Sequence, residues 1–329
     1  MKAIWCGFKS VLAADIEKYL QYKRALKRKF KTEESALRLL DRYLVEQNVT
    51  VVTAITAQTI EDFLTSRPRN RPRSYNHLLG VIRCFFEWSV VQDRLVNSPV
   101  RARPRRTTGQ QQPFLFNPAM AKQLLALAAA LPDRPKGPNR GATYYLIFAM
   151  LYTLGLRVSE VTRLCHKDLD LERQLLVIRK TKFAKDRLTP FGPRLGCRLA
   201  DYLAQKEPRS DGLDLDAPLF SFNAGRPVHP GTISLTFHHL VLQHHFLIPP
   251  GVSPPSLHCL RHSFAVGTLL RWYRSGIDPG QRLIHLSTFL GHVDPASTAW
   301  YLTITDELLT EANKRFERFA TPVNRGADT

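Results

Sequence analysis

The sequence predicts a mainly α protein with a small antiparallel β-sheet, divided between two domains. Apolar residues recur at helical spacing along most of the 329 residues. A single pair of short apolar runs, Leu175-Leu-Val-Ile-Arg179 and Arg187-Leu-Thr-Pro-Phe191, flanks the basic tip Lys180-Thr-Lys182-Phe-Ala-Lys185-Asp and reads as a hairpin. Residues 97–113 carry prolines and arginines without a sustained apolar period, the mark of a linker. A chain of this length suits two domains, each burying its own core.

In the first domain, residues 11–47 place Tyr19, Leu20, Leu26, Phe30, Leu37, Leu40 and Leu44 at helical spacing, interrupted by a basic run that includes Lys27, Arg28 and Lys29. Thr56 caps a short helix ending near Leu64, and a longer helix runs from Ser74 to Val91. Between them lies Arg67-Pro-Arg69-Asn-Arg71-Pro-Arg73, a proline-broken basic loop suited to gripping phosphate. Arg103, Arg105 and Arg106 follow at the domain edge. The expected division is residues 1–106, a linker at 107–115, and a second domain at 116–329. That domain should carry helices at 119–131, 144–154, 232–245, 261–273, 282–290 and 307–319.

The formal charge of +19 and a pI near 10.0 point to a polyanionic partner, with nucleic acid the leading candidate. The excess is spread over both parts, +11 in residues 1–106 and +8 in the rest. Five cysteines without a Cys-x-x-Cys pair suggest neither a disulfide framework nor a zinc module, so reduced thiols and a cytoplasmic location are expected. No apolar run approaches a membrane span, and no signal-peptide pattern opens the chain.

The chemistry-bearing residues fall in order along the second domain. In Thr153-Leu-Gly-Leu-Arg157-Val-Ser-Glu160 a glycine turn ends one helix, Arg157 opens the next, and Glu160 can orient its guanidinium from the same face. A helix start favours phosphate through its unpaired N–H groups and dipole. His258-Cys-Leu-Arg261 and Leu290-Gly-His292 follow, with Tyr301 nine residues beyond His292. Tyrosine is a usable covalent nucleophile where cations stabilise the developing charge. Taken singly, Tyr301 suits a core position and His258 and His292 suit structural roles; His238, His239, His244, His245 and His262 are expected to be structural.

In this order the four motifs resemble the tyrosine recombinase, or phage integrase-like, family, and residues 10–106 look like its N-terminal DNA-binding domain. The resemblance implies a C-shaped clamp on double-stranded recombination sites, with a helical core-binding domain and a catalytic domain. It also implies a homotetramer on synapsed DNA, with or without accessory proteins, and a nucleoid-associated enzyme without metal or other cofactor. Tyr301 would attack a phosphodiester to leave a 3′-phosphotyrosyl link, while Arg157 and Arg261 hold the non-bridging oxygens. His258 would donate to the phosphate or accept the tyrosine proton, and His292 would hydrogen-bond the phosphate. Lys182, with Lys180 as the alternative, would protonate the 5′-oxygen; Lys180 and Lys185 would also contact DNA.

Two features depart from the family pattern. The 30 residues between Arg261 and His292 are longer than in the compact Xer type, so an extra turn or loop near Tyr301 and a mobile-element subgroup are expected. The lead-in to His258 is rich in proline. A type IB topoisomerase and a non-catalytic DNA-binding factor are the rival readings. His258, where such topoisomerases often carry lysine, and the complete residue set favour recombination. The last helix, residues 305–319, is expected to pack on a neighbouring protomer in a cyclic tetramer.

Overall fold

A computed structural model of the protein describes residues 7–26, 30–106, 111–135, 137–179, 186–205, 214–222, 225–292 and 294–320. The chain divides into two compact units, Met1–Gln110 and Gln111–Thr329. The first is all helical, with α1 (Ala13–Ala25), α2 (Lys31–Glu46), α3 (Ala57–Ser66) and α4 (Pro72–Val91). Helix α2 buries Ala36, Leu37, Leu40 and Leu44, positions three or four apart that share one face. The Thr56 side chain accepts from the Thr59 backbone N–H at 3.3 Å and so caps α3. Pro72 opens α4, where the missing N–H would have had no intrahelical partner.

The centre of this unit is aromatic. Tyr19 meets Phe85 edge-on at 5.5 Å, and Phe63 and Phe86 are fully buried beside them. Each such ring contributes roughly 1.5–3 kcal/mol by leaving water. Asp41 is also buried, and its carboxylate accepts the Ser10 backbone N–H at 2.8 Å, tying the approach to α1 onto α2.

The second unit is built around α6 (Arg140–Thr153), apolar almost all round and packed between α5 (Pro118–Ala129) and α10 (Leu257–Arg274). Helices α8 (Pro193–Ala204) and α9 (Pro230–His244) complete that core. The sheet has three antiparallel strands in the order β1 (Leu169–Asp170), β2 (Leu175–Ile178), β3 (Arg187–Pro190). Its register pairs Leu176 with Thr189 and Ile178 with Arg187, which puts Leu176 and Ile178 on the buried face. A separate cluster joins α10, α11 (Pro279–Leu290) and α13 (Asp306–Ala320) through Leu269, Leu286, Leu290, Tyr301 and Leu308.

Several expectations change. The expected elements include neither β1 nor α8, and they start α10 at Arg261, whereas the helix begins at Leu257 and carries His258 in its first turn. Helix α7 (Val158–Val161) is a single turn, too short for the macrodipole argument made for Arg157. The long Arg261-to-His292 interval is mostly helical, with its turn at residues 275–278: α10 runs on to Arg274 and α11 starts at Pro279. Helix α13, expected to pack on a neighbouring protomer, also rests on its own unit: Leu308 is buried in the cluster over α10, and Arg315 reaches Asp278 at 3.5 Å. Leu309 and Phe316 remain exposed on its other face. Lys27, Arg28, Lys29, Lys180, Lys182 and Lys185 lie outside the described residues.

Candidate active site

Arg157 is the residue before α7, in an extended conformation that turns the chain out of the preceding glycine bend. Its backbone N–H donates to Glu160 Oε2 at 2.9 Å, and its Nη1 donates to Glu160 Oε1 at 2.8 Å. The same carboxylate receives a fork of two bonds from Arg187 on β3, each 2.9 Å. Glu160 is almost fully buried. Burial alone would raise its pKa, but the Arg187 hydrogen bonds and charge, the Arg157 backbone and the Arg157 guanidinium outweigh it, and the carboxyl settles at about 2. One anion thus holds two guanidinium groups.

The carbonyl end of α11 holds three. Leu290 O accepts Arg261 Nη2 at 2.7 Å and Arg157 Nη1 at 3.5 Å; Gly291 O accepts Arg157 Nη2 at 3.1 Å; Phe289 O accepts Arg187 Nε at 2.9 Å. The last carbonyls of a helix lack intrahelical partners and carry its negative dipole end, so cations collect there. Gly291 has φ +65°, and a Cβ there would lie 2.7 Å from Arg187 Nη1. Gly155 is equally constrained, with φ +60° and a would-be Cβ 2.5 Å from Phe264, while its carbonyl accepts Arg261 Nη1 at 2.5 Å. Arg261 itself is 1% exposed. Burial and then Arg157 push its pKa down to about 9, which leaves it a cation at pH 7.

Tyr301 lies in the short 3-10 turn Trp300–Thr303 and is only 2% exposed. Its ring faces that of His292 at 6.3 Å and an interplanar angle of 12°. His292 Nδ1 is 2.6 Å from Thr298 Oγ1, a buried hydroxyl that fixes the imidazole. The Tyr301 hydroxyl lies 2.8 Å from Nδ1 of His262. His258 packs edge-on against His262, with ring centroids 4.4 Å apart. Burial raises the Tyr301 pKa against the pull of Arg261 and Arg157. A buried tyrosine beside two arginines and three histidines is the arrangement expected of a phosphotyrosyl-forming enzyme.

The model of the phage integrase family matches residues 120–307. The chain belongs to the phage integrase family. It is therefore a tyrosine recombinase, an enzyme of site-specific DNA recombination. It is 33% identical over 309 residues to a putative integrase/recombinase, y4rB, of Sinorhizobium fredii, covering 92% of this chain and 96% of that one. With the tyrosine recombinase XerA of Thermococcus kodakarensis it shares 28% identity over 247 residues, 74% of this chain and 75% of the relative. Among solved structures, the Tn1549 transposon integrase in complex with circular intermediate DNA matches with a TM-score of 0.66 at 17% identity, covering 94% of this chain and 100% of that one. A lambda integrase dimer bound to a COC′ core site matches at 0.63 and 15%, covering 90% and 77%. Both share the fold.

Within this recombinase, Arg157, Glu160, His258, Arg261, His292 and Tyr301 come together in one site. Two members of the site were not assigned to it from the sequence. Arg187 was read only as the first residue of the second hairpin strand, although it shares Glu160 with Arg157. His262 was expected to be structural, whereas it touches the nucleophile; its position one helical turn after His258 is the signal that places both on one face. His238, His239 and His245 are exposed on or just after α9 rather than built into a core.

In the first unit Arg69, Arg103 and Arg105 line a cavity of about 560 Å³ with Tyr75 and Asn70. The Arg105 guanidinium stacks on Tyr75 at 4.0 Å and donates to Arg69 O at 2.8 Å, while Arg105 N donates to Asn76 Oδ1 at 2.7 Å. Residues around 105 therefore run along α4. Arg71, Arg73, Arg103 and Arg106 are exposed, and Arg67 pairs with Glu46 at 3.3 Å. Among the described residues no helix is long and apolar enough to cross a membrane, and no group of three or more His, Cys, Asp or Glu is placed to hold a metal ion.

Proposed function

We propose that Tyr301 cuts one strand of a double-stranded recombination site by attacking the scissile phosphodiester, forming a 3′-phosphotyrosyl link and releasing a 5′-hydroxyl. The convergence of Arg157 and Arg261 on the Leu290 carbonyl, beside the buried tyrosine, carries this reading. Arg261 Nε is buried without a hydrogen-bond partner among the described residues, and an unmet buried donor costs about 1–3 kcal/mol. A non-bridging phosphate oxygen is an acceptor that satisfies it. Arg157 presents its planar fork to the same group, a geometry lysine does not reproduce. His258 and His292 hydrogen-bond the phosphate, and Lys182 protonates the leaving 5′-oxygen, with Lys180 the alternative in the same hairpin. The step stores the bond energy in the phosphotyrosine, so a second 5′-hydroxyl reverses it on a different strand.

Residues 1–106 supply a DNA-binding domain that contacts the duplex through Lys27, Arg28, Lys29, Arg67, Arg69, Arg71, Arg73, Arg103, Arg105 and Arg106, and residues 116–329 supply the catalytic domain, with 107–115 the linker. Lys180 and Lys185 contact the backbone from the hairpin. The reaction takes place in the cytoplasm, on the nucleoid, for integration, excision or resolution of a mobile element. The likeness to the Sinorhizobium fredii protein named a putative integrase/recombinase and to the Tn1549 transposon integrase supports the mobile-element role. Strand exchange assembles a homotetramer on two sites, with or without accessory proteins, and the exposed Leu309 and Phe316 of α13 offer it an apolar contact.

Purified protein incubated with nicked suicide substrates from its native locus should accumulate a covalent protein–DNA complex, and Tyr301→Phe should give none. A complex formed by Tyr301→Phe, or none formed by the wild type on a site it binds, would overturn the assignment.

A further inference from the structure

Cleavage needs a group to take the phenolic proton, because burial keeps the Tyr301 hydroxyl protonated at neutral pH. Arg261 also hydrogen-bonds the phenol, but a guanidinium only donates, and the nitrogen able to accept a proton from the Tyr301 hydroxyl belongs to His262, at 2.8 Å. His258 touches His262 rather than the phenol, and His292 lies parallel to the phenol ring with Nδ1 engaged by Thr298. In the tautomer that carries its proton on Nε2, His262 Nδ1 offers a lone pair to the Tyr301 O–H.

We propose that His262 is the general base that activates Tyr301, an assignment that rests on the recombination chemistry above. The phenolic O–H bond breaks with its proton passing to His262 Nδ1, the oxygen lone pair forms the bond to phosphorus, and the phosphorus–O5′ bond breaks. The departing O5′ takes a proton from Lys182, so one proton enters the site from the lysine and one rests on the imidazole. In the return step the incoming 5′-hydroxyl gives its proton to Lys182, and His262 returns its own to the tyrosine oxygen as it leaves. His258 is thereby left to the phosphate.

The surroundings suit this task. His262 is faced by His258 and Arg261 from its own helix, by His292 at the end of α11, and by Trp300 and Tyr301 from the 3-10 turn. Burial first, then His258, Arg261 and His292, push its pKa down to about 3, so the imidazole is neutral at pH 7 and ready to accept. A phosphate drawn to Arg157 and Arg261 offsets the positive charge that weakens this base. Its proton affinity then rises as substrate enters, and the base is strongest when the scissile group is in place.

Single-turnover formation of the covalent complex tests this on two substrates, an ordinary suicide site and the same site with sulfur in place of the bridging 5′-oxygen. A thiolate leaves without protonation, so the second substrate relieves a defect at the leaving group and not one at the nucleophile. His262→Ala and His262→Asn should both be slowed about 10²–10⁴-fold, the range typical of a lost general base, on both substrates. Asparagine keeps an acceptor near the Nδ1 position but cannot hold a proton. Recovery of His262→Ala on the sulfur substrate, or a wild-type rate for His262→Asn, would overturn the proposal. Half-site affinity and circular dichroism matching the wild type show that the variants are folded, and His262→Asn carries the test if the alanine variant is not. A reactive wild type with an unimpaired His262→Asn rejects only this assignment; an unreactive wild type rejects the recombination chemistry itself.

Discussion

Glu160 is the residue on which the cationic site depends, since it ties Arg157 to Arg187 from an almost fully buried position. Its carboxyl is held at about 2 instead of 4.5, so it adds stability above pH 4.5 that is lost as the pH falls from 4.5 toward 2. That linkage amounts to about 3 kcal/mol. The histidines act earlier on the same axis. His262 is pushed to about 3 and His292 to about 4, both by burial first, so the unfolded chain binds more protons below the ordinary value of 6.5 and stability falls as pH drops from there. Desolvation first, then the charges of Arg261 and Arg157, push His258 the same way, to about 4. Denaturant unfolding across pH 7 to 2 should therefore show a decline that starts near 6.5 and steepens below 4.5. Glu160→Gln should lower stability by about 3–5 kcal/mol at pH 7 by leaving two guanidinium groups short of their anion, and should flatten the lower stage. An unchanged lower stage would mean that the carboxylate is not the linkage group.

At the scale of the element, the end of α11 does what the one-turn helix α7 was expected to do. The carbonyls of Phe289, Leu290 and Gly291 hold Arg187, Arg261 and Arg157 together, and Gly155 O holds Arg261 from the opposite side. The Leu-Gly-His pattern is thus a helix ending that both positions guanidinium groups and delivers His292. Gly155→Ala tests the other half of this cradle. A left-handed backbone costs an alanine about 1–2 kcal/mol, and the clash with Phe264 and Leu290 should bring the total loss to about 2–4 kcal/mol. The thermal midpoint should fall by several degrees, and covalent complex formation should fall further than half-site binding, because the strained turn shifts the backbone carbonyl that anchors Arg261. Equal losses in binding and cleavage would argue that the turn is only structural.

For the whole molecule, the +19 charge favours a polyanion such as DNA, and exposed arginines of the first unit are positions at which that contribution can be tested. Arg71 and Arg103 are exposed, whereas Arg105 is bound to Tyr75 and Arg69 O and supports the loop itself. Replacing Arg71 or Arg103 by alanine should weaken half-site binding on all sequences alike and reduce the slope of log affinity against log salt by about 1 for each phosphate left without its cation. Fluorescence anisotropy from low to moderate salt measures that slope. A wild-type slope in both variants would mean that other residues of the chain neutralise the DNA.

The helices, the hairpin strands and the order of Arg157, Glu160, His258, Arg261, His292 and Tyr301 were legible in the sequence, because apolar periodicity and motif spacing are local properties. The order of those residues also determined the family, since four motifs in register are hard to meet by chance. Strand β1 was not legible, because a two-residue strand has no period; helix α8 does carry a helical period, with Leu195, Leu199, Tyr202 and Leu203 behind an opening Pro193, although the sequence expectation did not include it. The Arg261-to-His292 interval, expected to hold an extra turn or loop, is mostly helix: α10 runs to Arg274 against α6 and α13, and the turn at residues 275–278 leads into α11. Only the tertiary structure decided that Arg187 shares the Glu160 carboxylate, that α13 returns to its own core, and that His262 rather than His258 meets the Tyr301 hydroxyl. Each of these is a meeting of side chains far apart in sequence, set by how α10, α11, β3 and the 3-10 turn pack, and no spacing along the chain encodes such a distance.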